Sequence, residues 1–235
     1  YIKNHKVVMN KRFLFSITGQ MYDCLGISLM GPKSCIKSAI HKLHSRAGTT
    51  VDWEDLVGGE VEKIIHKSIE WYFLAANQTF KRANLYQYQE AGHLLLSQSD
   101  AGGSVHAVMC FIISYVNING IYRAKSQLLY AKPWVNNVGI LSIPHLELLA
   151  LSKSINITTL LHSWLEKLGI SIQPCNILIT TDSRVSLIQC RSRAALHTKK
   201  TGHLVAKIAL KLLEGSLSPY YNLYFHDQKR LFHVD

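Results

Sequence analysis

Hydrophobic residues in the first third of the chain recur at intervals of three and four positions, which is the period of an amphipathic helix. Ile36 and Ile40 follow this spacing in the segment 32–46, and the segment 59–77 continues it. The acidic stretch Asp-Trp-Glu-Asp at 52–55 separates the two segments. The pattern therefore predicts two helices and a mostly helical first region.

The hydrophobic pattern changes after residue 92, where apolar runs of strand length replace the helical period. The runs 93–99, 105–116 and 120–131 predict three strands. The last two runs are separated by Asn-Ile-Asn-Gly at 117–120, a sequence that favours a tight hairpin turn. Three strands joined by short turns predict an antiparallel meander.

A long helix is predicted after the meander. Its segment, 144–168, has Pro144 in the first turn and Gly169 just past the end, which is the favoured asymmetry of helix termini. The continuous apolar run Asn-Ile-Leu-Ile-Thr at 176–180 suits a strand in the middle of a sheet that is covered on both faces. The remaining pattern predicts helices over 183–190 and 202–214 and strand-like segments at 221–225 and 231–234.

The predicted order of elements is typical of a mixed α/β fold. Three antiparallel strands, a helix, a parallel strand and further helices would form one mixed sheet, preceded by a small mostly helical region. The polar segment 81–92 has weak periodicity and is the predicted linker. We therefore place a helical region at 1–80 and an α/β domain at 93–235.

Composition adds a large positive charge to this picture. The chain has 235 residues, of which 48% are hydrophobic, enough for one large or two small domains with a substantial core. Its 26 Lys and Arg residues outnumber its 15 Asp and Glu residues, which gives a net charge of +11. Such a charge favours polyanionic partners, although it also serves simple solubility.

Cysteine usage and hydropathy indicate the compartment. The five cysteines are an odd number without a C-x-x-C pair, which is typical of reduced thiols in an intracellular protein. No H-E-x-x-H sequence or paired Cys/His knuckle supports a zinc site. No apolar run approaches the roughly 20 residues that span a bilayer, and the first residues lack a signal-peptide core. We expect a cytoplasmic protein without a membrane partner, with the nucleus as a further compartment.

Three of the seven acidic residues after Gly92 lie beside or within predicted buried structure. Asp100 ends the first predicted strand, Glu147 lies among the leucines of the long helix, and Asp182 follows the central apolar strand. A buried carboxylate is costly unless it is paired or coordinates a metal, and its oxygen atoms favour Mg²⁺ or Mn²⁺. Two strand ends and one helix are places from which three carboxylates can converge at one side of a sheet. The pattern therefore indicates a divalent-metal site.

Each of the three acids also has a purely structural explanation. Asp182 precedes Ser-Arg at the start of a predicted helix and would serve as its N-cap. Asp100 precedes Ala-Gly-Gly and would serve as a turn residue. Helical geometry would also allow Glu147 to face solvent. The residues alone leave these alternatives open.

Four short motifs surround these acids in the α/β region. They are Ser-Asp-Ala-Gly at 99–102, Tyr-Ala-Lys at 130–132, Ile-Pro-His-Leu-Glu-Leu at 143–148 and Thr-Thr-Asp-Ser at 180–183. These sequences resemble the S-D-A-S, A-A-K, I-P-R-L-E-L and W-T-D-S motifs in the Pol polyprotein of Bel/Pao-type LTR retrotransposons. The order of strand Asp, helix Glu and strand Asp resembles the ribonuclease H fold.

The first region carries motifs that are similar to the same family. Lys-Arg at 11–12, Met-Tyr-Asp-Cys-Leu-Gly at 21–26 and Asp-Trp-Glu-Asp at 52–55 resemble the segment after the family's reverse transcriptase core. His145 stands where the family has Arg, and Thr180 stands where it has Trp. The resemblance thus covers nearly the whole chain.

The resemblance implies a reverse-transcriptase thumb or connection region joined to a ribonuclease H-like domain. It implies that Asp100, Glu147 and Asp182 are catalytic and hold two Mg²⁺ or Mn²⁺ ions about 4 Å apart, which serve the attacking water and the leaving 3′ oxygen. The implied substrate is the RNA strand of an RNA/DNA hybrid, recognised by backbone and shape. The implied partner is the reverse transcriptase core of the same polyprotein, with the retrotransposon particle as a further location.

Basic residues are the expected contacts for the phosphates of such a substrate. A solvated loop is the alternative explanation for the basic run at 191–200. The candidate nucleic-acid-binding residues are Lys132, Arg184, Arg191, Arg193, Lys199 and Lys200.

One acid of the family pattern has no counterpart. The family's fourth acid lies in an N-P-A-D sequence after the last strand, and this motif is absent, so we expect the domain to be truncated at its C-terminal end. Asp227 and Asp235 lie in this part of the chain, but no motif supports either residue. The sequence leaves open whether the three acids form an active endoribonuclease or an inactive site.

Two other functions are compatible with parts of the sequence. A degenerate, non-catalytic module of the Pol polyprotein would bind nucleic acid or act as a scaffold through its basic surface, without a metal requirement. The family region is also called Pao retrotransposon peptidase, but an aspartic peptidase needs a pair of D-[ST]-G loops. Asp100 is followed by Ala101, and Asp182 is followed by Ser183 and Arg184, so neither acid lies in such a loop.

Overall fold

The computed structural model describes seven ranges of the chain. These ranges are 9–20, 30–45, 52–77, 92–103, 105–136, 141–192 and 201–226. The predicted linker lies outside them except for Gly92, as do the motif at 21–26 and the strand-like segment at 231–234.

Three helices form the first region. α1 spans Lys11–Gln20, α2 spans Met30–Ser45 and α3 spans Glu60–Ala76. Their inward apolar side chains, such as Leu14 and Ile36, are fully buried and form a core separate from that of the sheet. The predicted helical region is therefore confirmed, with one helix more than the hydrophobic period indicated.

The additional helix, α1, has a short apolar face and depends on tertiary contacts. Only Phe13, Leu14 and Ile17 mark this face, and a helix of ten residues is marginal in water by itself. Asn10 caps the helix, because its side-chain oxygen accepts a hydrogen bond from the N–H of Phe13. Asn10 also pairs with Leu56 in an isolated antiparallel bridge, which holds the start of α1 against the segment before α3.

The remaining described elements form one mixed α/β unit. The strands are β1 (His93–Ala101), β2 (Val105–Ile118), β3 (Ile121–Val135), β4 (Ile177–Thr181) and β5 (Leu223–Phe225). The helices are α4 (Ile143–Lys167), α5 (Arg184–Arg191) and α6 (Gly202–Glu214). The sheet order is β3-β2-β1-β4-β5, in which β1, β2 and β3 are antiparallel, and β4 pairs in parallel with both β1 and β5. The predicted mixed α/β fold class is confirmed.

The hairpin between β2 and β3 follows from its turn sequence. Asn119 and Gly120 both have positive φ angles, 53° and 83°, which suits a two-residue turn of type I′. The side-chain oxygen of Asn117 accepts a hydrogen bond from the N–H of Gly120. Ile118 pairs with Ile121 directly across the turn, as the predicted hairpin requires.

α4 and α6 cover one face of the sheet. Leu151 of α4 and Ile208 of α6 join the same buried cluster as Leu95 of β1 and Ile179 of β4. Alternation along a strand places Ser97 on this face as well, and its hydroxyl lies 2.6 Å from that of Ser154 on α4. These contacts fix α4 against the central strands and thereby fix the position of its first turns.

The end of α4 agrees with the predicted helix stop. Gly169 has a φ angle of 79°, a conformation that favours glycine, and the N–H of Ile170 donates to the carbonyl of Leu165. The predicted helix 144–168 is displaced by one residue at each end. No helix within the described ranges has both the length and the hydropathy needed to cross a bilayer.

Candidate metal centre

Asp100 lies near the carboxyl end of β1, beside the end of β4. It pairs with Ala107 of β2, so it belongs to a strand and not to a free turn. Ser99 is in parallel register with Thr181, and the residues that follow these two are Asp100 and Asp182. The parallel pairing of two strand ends therefore brings two acids that are 82 positions apart in sequence to the same edge of the sheet.

Asp182 occupies the short connection between β4 and α5. The N-cap of α5 is the next residue, Ser183, whose side chain accepts a hydrogen bond from the N–H of Ser186. The N–H of Ser183 in turn donates to the hydroxyl of Thr181. The N-cap explanation for Asp182 is therefore wrong, because the neighbouring serine performs that role.

Glu147 lies in the second turn of α4 and is almost completely covered. Its relative exposure is 8%, and the flanking side chains of Leu146 and Leu148 are buried as well. Leu146 packs with Ala101 of β1 and Ala150 of α4 in a small apolar cluster. The alternative that Glu147 faces solvent is therefore wrong.

The structure brings the three predicted acids into one cluster. One carboxylate oxygen from each of Asp100, Glu147 and Asp182 lies within 4.8 Å of the other two. Asp100 is exposed, Asp182 is partly buried and Glu147 is buried, so the cluster opens to solvent on the Asp100 side. The three acids are far apart in sequence but close in space, because β1, α4 and β4 pack together at one end of the sheet.

The electrostatics of the cluster are those of acids crowded together in a partly dry site. Burial, together with the neighbouring charges of Asp182 and Asp100, raises the pKa of Glu147 to about 7. Burial and the charge of Asp100 also raise the pKa of Asp182. Both shifts mean that the ionised forms of Glu147 and Asp182 are less favourable at this site than in water.

The donor set fits a hard divalent cation. Oε2 of Glu147 is buried and has no hydrogen-bond partner among the residues that the structure describes. Oxygens on opposite sides of a Mg²⁺ ion are about 4.2 Å apart, so separations of up to 4.8 Å need only small side-chain adjustments. A cation at this place would offset the mutual repulsion of the three carboxylates.

One further titratable group, His226, approaches the acids and was not predicted. His226 follows β5, and its backbone N–H donates to the carbonyl of Thr181, the last residue of β4. Its charge lowers the pKa of Asp182, against the larger effect of burial. No sequence signal identifies His226, because its proximity depends on the parallel pairing of β5 with β4.

The predicted basic residues differ in what they contact. Arg184 lies at the start of α5 with its guanidinium 4.6 Å from the ring centre of Phe225. Arg191 donates from Nε to the carbonyl of Pro219 and from Nη2 to the carbonyl of Leu223, so it holds the segment that leads into β5. The predicted Arg193, Lys199 and Lys200 lie outside the described residues, as do Asp227 and Asp235.

Lys132 is an exposed residue of β3. Its Nζ lies 5.5 Å from the ring centre of Trp134, on the same strand. Val108 of β2 is its partner across the antiparallel pair. Lys132 is thus directed to solvent from the edge strand of the sheet, two strands away from Asp100.

The chain was compared with curated proteins, solved structures and protein families. No curated protein matches the sequence. The structure of the foamy viral protease-reverse transcriptase in complex with dsDNA is similar at 12% identity and a TM-score of 0.44, over 97% of this chain and 40% of that one. The chain therefore spans about two fifths of the length of that protein.

The family comparison is more specific than the structural one. The model of the Pao retrotransposon-like RNaseH-like domain matches residues 10–183, which is about three quarters of the chain. The match begins before α1 and ends just after Asp182, so it includes all three acids of the cluster. The chain belongs to the family of Pao retrotransposon-like RNaseH-like domains.

Proposed function

We propose that this RNaseH-like domain hydrolyses the RNA strand of an RNA/DNA hybrid in a reaction that depends on Mg²⁺ or Mn²⁺. The observation that carries the proposal is the convergence of Asp100, Glu147 and Asp182, with one carboxylate oxygen of each within 4.8 Å of the others. Glu147 and Asp182 have raised pKa values, and crowded carboxylates of this kind are unfavourable in an unliganded protein and favourable around cations. Their conjunction supports a metal-dependent phosphodiesterase.

The three acids would have distinct roles in holding the cations. Glu147 offers a buried oxygen without a competing donor in the described part of the chain, which makes it the fixed ligand. Asp100 is exposed and lies at the open side of the cluster, where substrate approaches. Asp182 is positioned by the short β4–α5 connection. Two divalent ions supply activation of the attacking water and stabilisation of the leaving oxygen when bound.

Charge and fold support a nucleic-acid substrate. The net charge of +11 attracts the phosphate backbone, while the acidic cluster repels it unless cations are present. An RNA strand paired with DNA offers a wide minor groove with 2′-hydroxyls, which a shape-reading site can distinguish from DNA alone. The proposed partner within the polyprotein is the reverse transcriptase core, which would supply the hybrid.

The two alternatives make different demands on the same residues. An aspartic peptidase shares one proton between two acids in matching loops, whereas Asp100 lies within a strand and Asp182 precedes the N-cap of α5. A non-catalytic module would need the basic surface and would not need Glu147 ionised. The peptidase therefore has no support in the geometry, and the binding module is separated from the nuclease by experiment.

The test is cleavage of the RNA strand of a labelled RNA/DNA hybrid with Mg²⁺ or Mn²⁺, in the parent chain and in Glu147→Gln. The amide keeps the size of the side chain but removes the charge that holds a cation, so we expect at least a hundredfold loss of cleavage rate. Glu166→Gln is the matched control, because Glu166 lies on the same helix and is exposed. It should keep the parent rate.

Three results would contradict the nuclease. Cleavage that persists in Glu147→Gln would show that the acid cluster is not needed for the reaction. Cleavage in EDTA would show that the reaction does not depend on a metal ion. A folded parent chain that binds the hybrid and never cleaves it would favour the binding module. Asp182→Asn, tested in parallel, separates a loss specific to Glu147 from a loss shared by the cluster.

A further inference from the structure

A cluster of one aromatic and two basic side chains lies on β3 and α4. It consists of Trp134, Lys132 and Lys153, and is called the Trp134 cluster. Nζ of Lys132 lies 5.5 Å from the centre of the indole ring, and Nζ of Lys153 lies 5.4 Å from it. Two positive charges from different elements are therefore held near one ring.

The two ammonium groups have no acidic counterpart in the described part of the chain. None of the ion pairs found there includes Lys132 or Lys153. The ring contributes only a modest attraction to each cation. The two like charges repel each other in the absence of an anion. An anion bound by both ammonium groups would attract each of them and so offset their mutual repulsion.

Buried groups behind the cluster hold the indole in place. The imidazole of His106 stacks on Trp134 with a ring separation of 5.3 Å and an interplanar angle of 7°. Nδ1 of His106 donates to the side-chain oxygen of Asn136, and Nδ2 of Asn136 donates to the carbonyl of Gly102. His106 and Asn136 are both buried, so the platform is rigid and is joined to the turn that follows Asp100 and Ala101.

Strand register places the cluster beside the acid cluster. Ala101 of β1 pairs with His106 of β2, and His106 pairs with Trp134 of β3. Neighbouring strands are about 4.8 Å apart, so the Cα atoms of Ala101 and Trp134 are separated by about 10 Å. A duplex carries one phosphate per ~1.7 Å of its axis. A duplex that reached the acids would therefore have other phosphates within range of the cluster.

We propose that the Trp134 cluster is a second contact site for the nucleic-acid backbone, in which Lys132 and Lys153 bind a phosphodiester group flanking the one at the acid cluster. This inference rests on the proposed function, because it assumes the same duplex substrate. It adds Trp134 and Lys153 to the candidate nucleic-acid-binding residues, which already include Lys132. It concerns binding of the duplex and does not depend on cleavage. Sequence patterns alone do not predict the pair, because the two lysines meet only through the packing of α4 against the sheet.

The test is hybrid binding by the full chain in EDTA, measured by fluorescence anisotropy between 50 and 200 mM KCl. Variants are Lys132→Gln, Lys153→Gln and the double substitution. Each neutralised phosphate makes the slope of log K against log salt concentration more negative by about 0.9, and the two lysines share one phosphate. The double variant should therefore have a slope that is less negative by about 0.9, and each single variant should lose part of this amount. We expect the Kd at 100 mM KCl to rise about fivefold in each single variant and at least tenfold in the double variant.

Lys167→Gln is the matched control for charge. Lys167 is an exposed residue at the end of α4, 14 positions beyond Lys153 and thus about 21 Å further along the helix. Its substitution should leave the slope and the Kd unchanged. Thermal melting of all variants separates a loss of binding from a loss of folding, because a merely structural role for the lysines would lower the melting temperature and not the salt slope.

The proposal is overturned if the double variant keeps the parent slope and Kd, if Lys167→Gln loses as much as either single variant, or if the parent does not bind the hybrid. These outcomes are distinguishable from failure of the nuclease proposal. Metal-dependent cleavage lost in Glu147→Gln with an unchanged salt slope supports the acid cluster alone. A reduced slope in the lysine variants of a chain that never cleaves supports the Trp134 cluster alone.

Discussion

Burial gives Glu147 an unusual response to protons. Its carboxyl group is buried, one oxygen lacks a partner among the described residues, and its pKa is raised to about 7 chiefly by burial. At neutral pH without a cation, the side chain is therefore protonated in roughly half of the molecules. A bound cation favours the ionised form, so cation binding at this residue releases protons.

The raised pKa predicts a pH-dependent stability in EDTA. The folded value of about 7 exceeds the unfolded value of 4.5, so the folded state binds more protons between these two values. The free energy of unfolding should therefore fall as pH rises through this window, by ~2 kcal/mol, and level off above it. Urea unfolding at pH 5 and pH 8 measures the change. Glu147→Gln should lack this component and be more stable than the parent at pH 8.

Glu70→Gln provides the comparison, because it removes an exposed carboxyl group that belongs to none of the ion pairs of the described residues. It should retain the parent's dependence on pH. An identical loss of stability from pH 5 to pH 8 in Glu147→Gln and the parent would show that Glu147 is not the group that titrates.

At the scale of elements, the connection between β4 and α5 separates structural and functional roles in adjacent residues. Ser183 caps α5, and the neighbouring Thr181 accepts the N–H of Ser183. Asp182 therefore does not cap α5, and its carboxylate lies with those of the other two acids. The parallel register of Ser99 with Thr181 then places Asp100 beside it. One short connection thus supplies both the helix start and a site residue.

The cap can be tested by a pair of alanine substitutions. Ser183→Ala removes the hydroxyl that accepts the N–H of Ser186 and should lower the free energy of unfolding by about 1 kcal/mol. Ser142→Ala is the control, because Ser142 precedes α4 at the equivalent position but makes no capping hydrogen bond with its side chain. Denaturant titration should show a much smaller change for Ser142→Ala. Equal losses in the two variants would exclude a specific cap at Ser183.

At the scale of the whole molecule, the fold concentrates acidic charge in a strongly basic chain. Three of its 15 acidic residues lie within one small cluster, while the net charge of the chain is +11. The core that fixes them is formed by β1, β4, α4 and α6 together. Neutralising the cluster with cations should therefore stabilise the assembled fold as a whole and not one helix alone.

Addition of Mn²⁺ should raise the melting temperature of the parent chain. A ligand that binds only the folded state at a hundred times its Kd contributes about 2.7 kcal/mol, which corresponds to roughly 5–10 °C for a chain of this size. EDTA should reverse the shift. Glu147→Gln should show little of it, whereas the same shift in parent and variant would place the ion elsewhere on the protein.

The pattern of hydrophobic positions determined most elements of the protein, because helix and strand periods are local properties of the chain. It predicted α4 to within one residue, the Asn119–Gly120 turn and α6. Asp100, Glu147 and Asp182 were candidate site residues because they lie beside or within predicted buried elements. The hydrophobic pattern missed α1, whose ten residues are stabilised mainly by packing against other elements.

Only the tertiary structure decided which side chains meet. Whether Glu147 is buried depends on how α4 rotates against β1, and the position of His226 depends on the pairing of β5 with β4. The approach of Lys153 to Trp134 likewise arises between two elements that are separate in sequence. The physical reason is that periodicity fixes the faces of single elements, whereas contacts between distant residues are set by the packing of whole elements against one another.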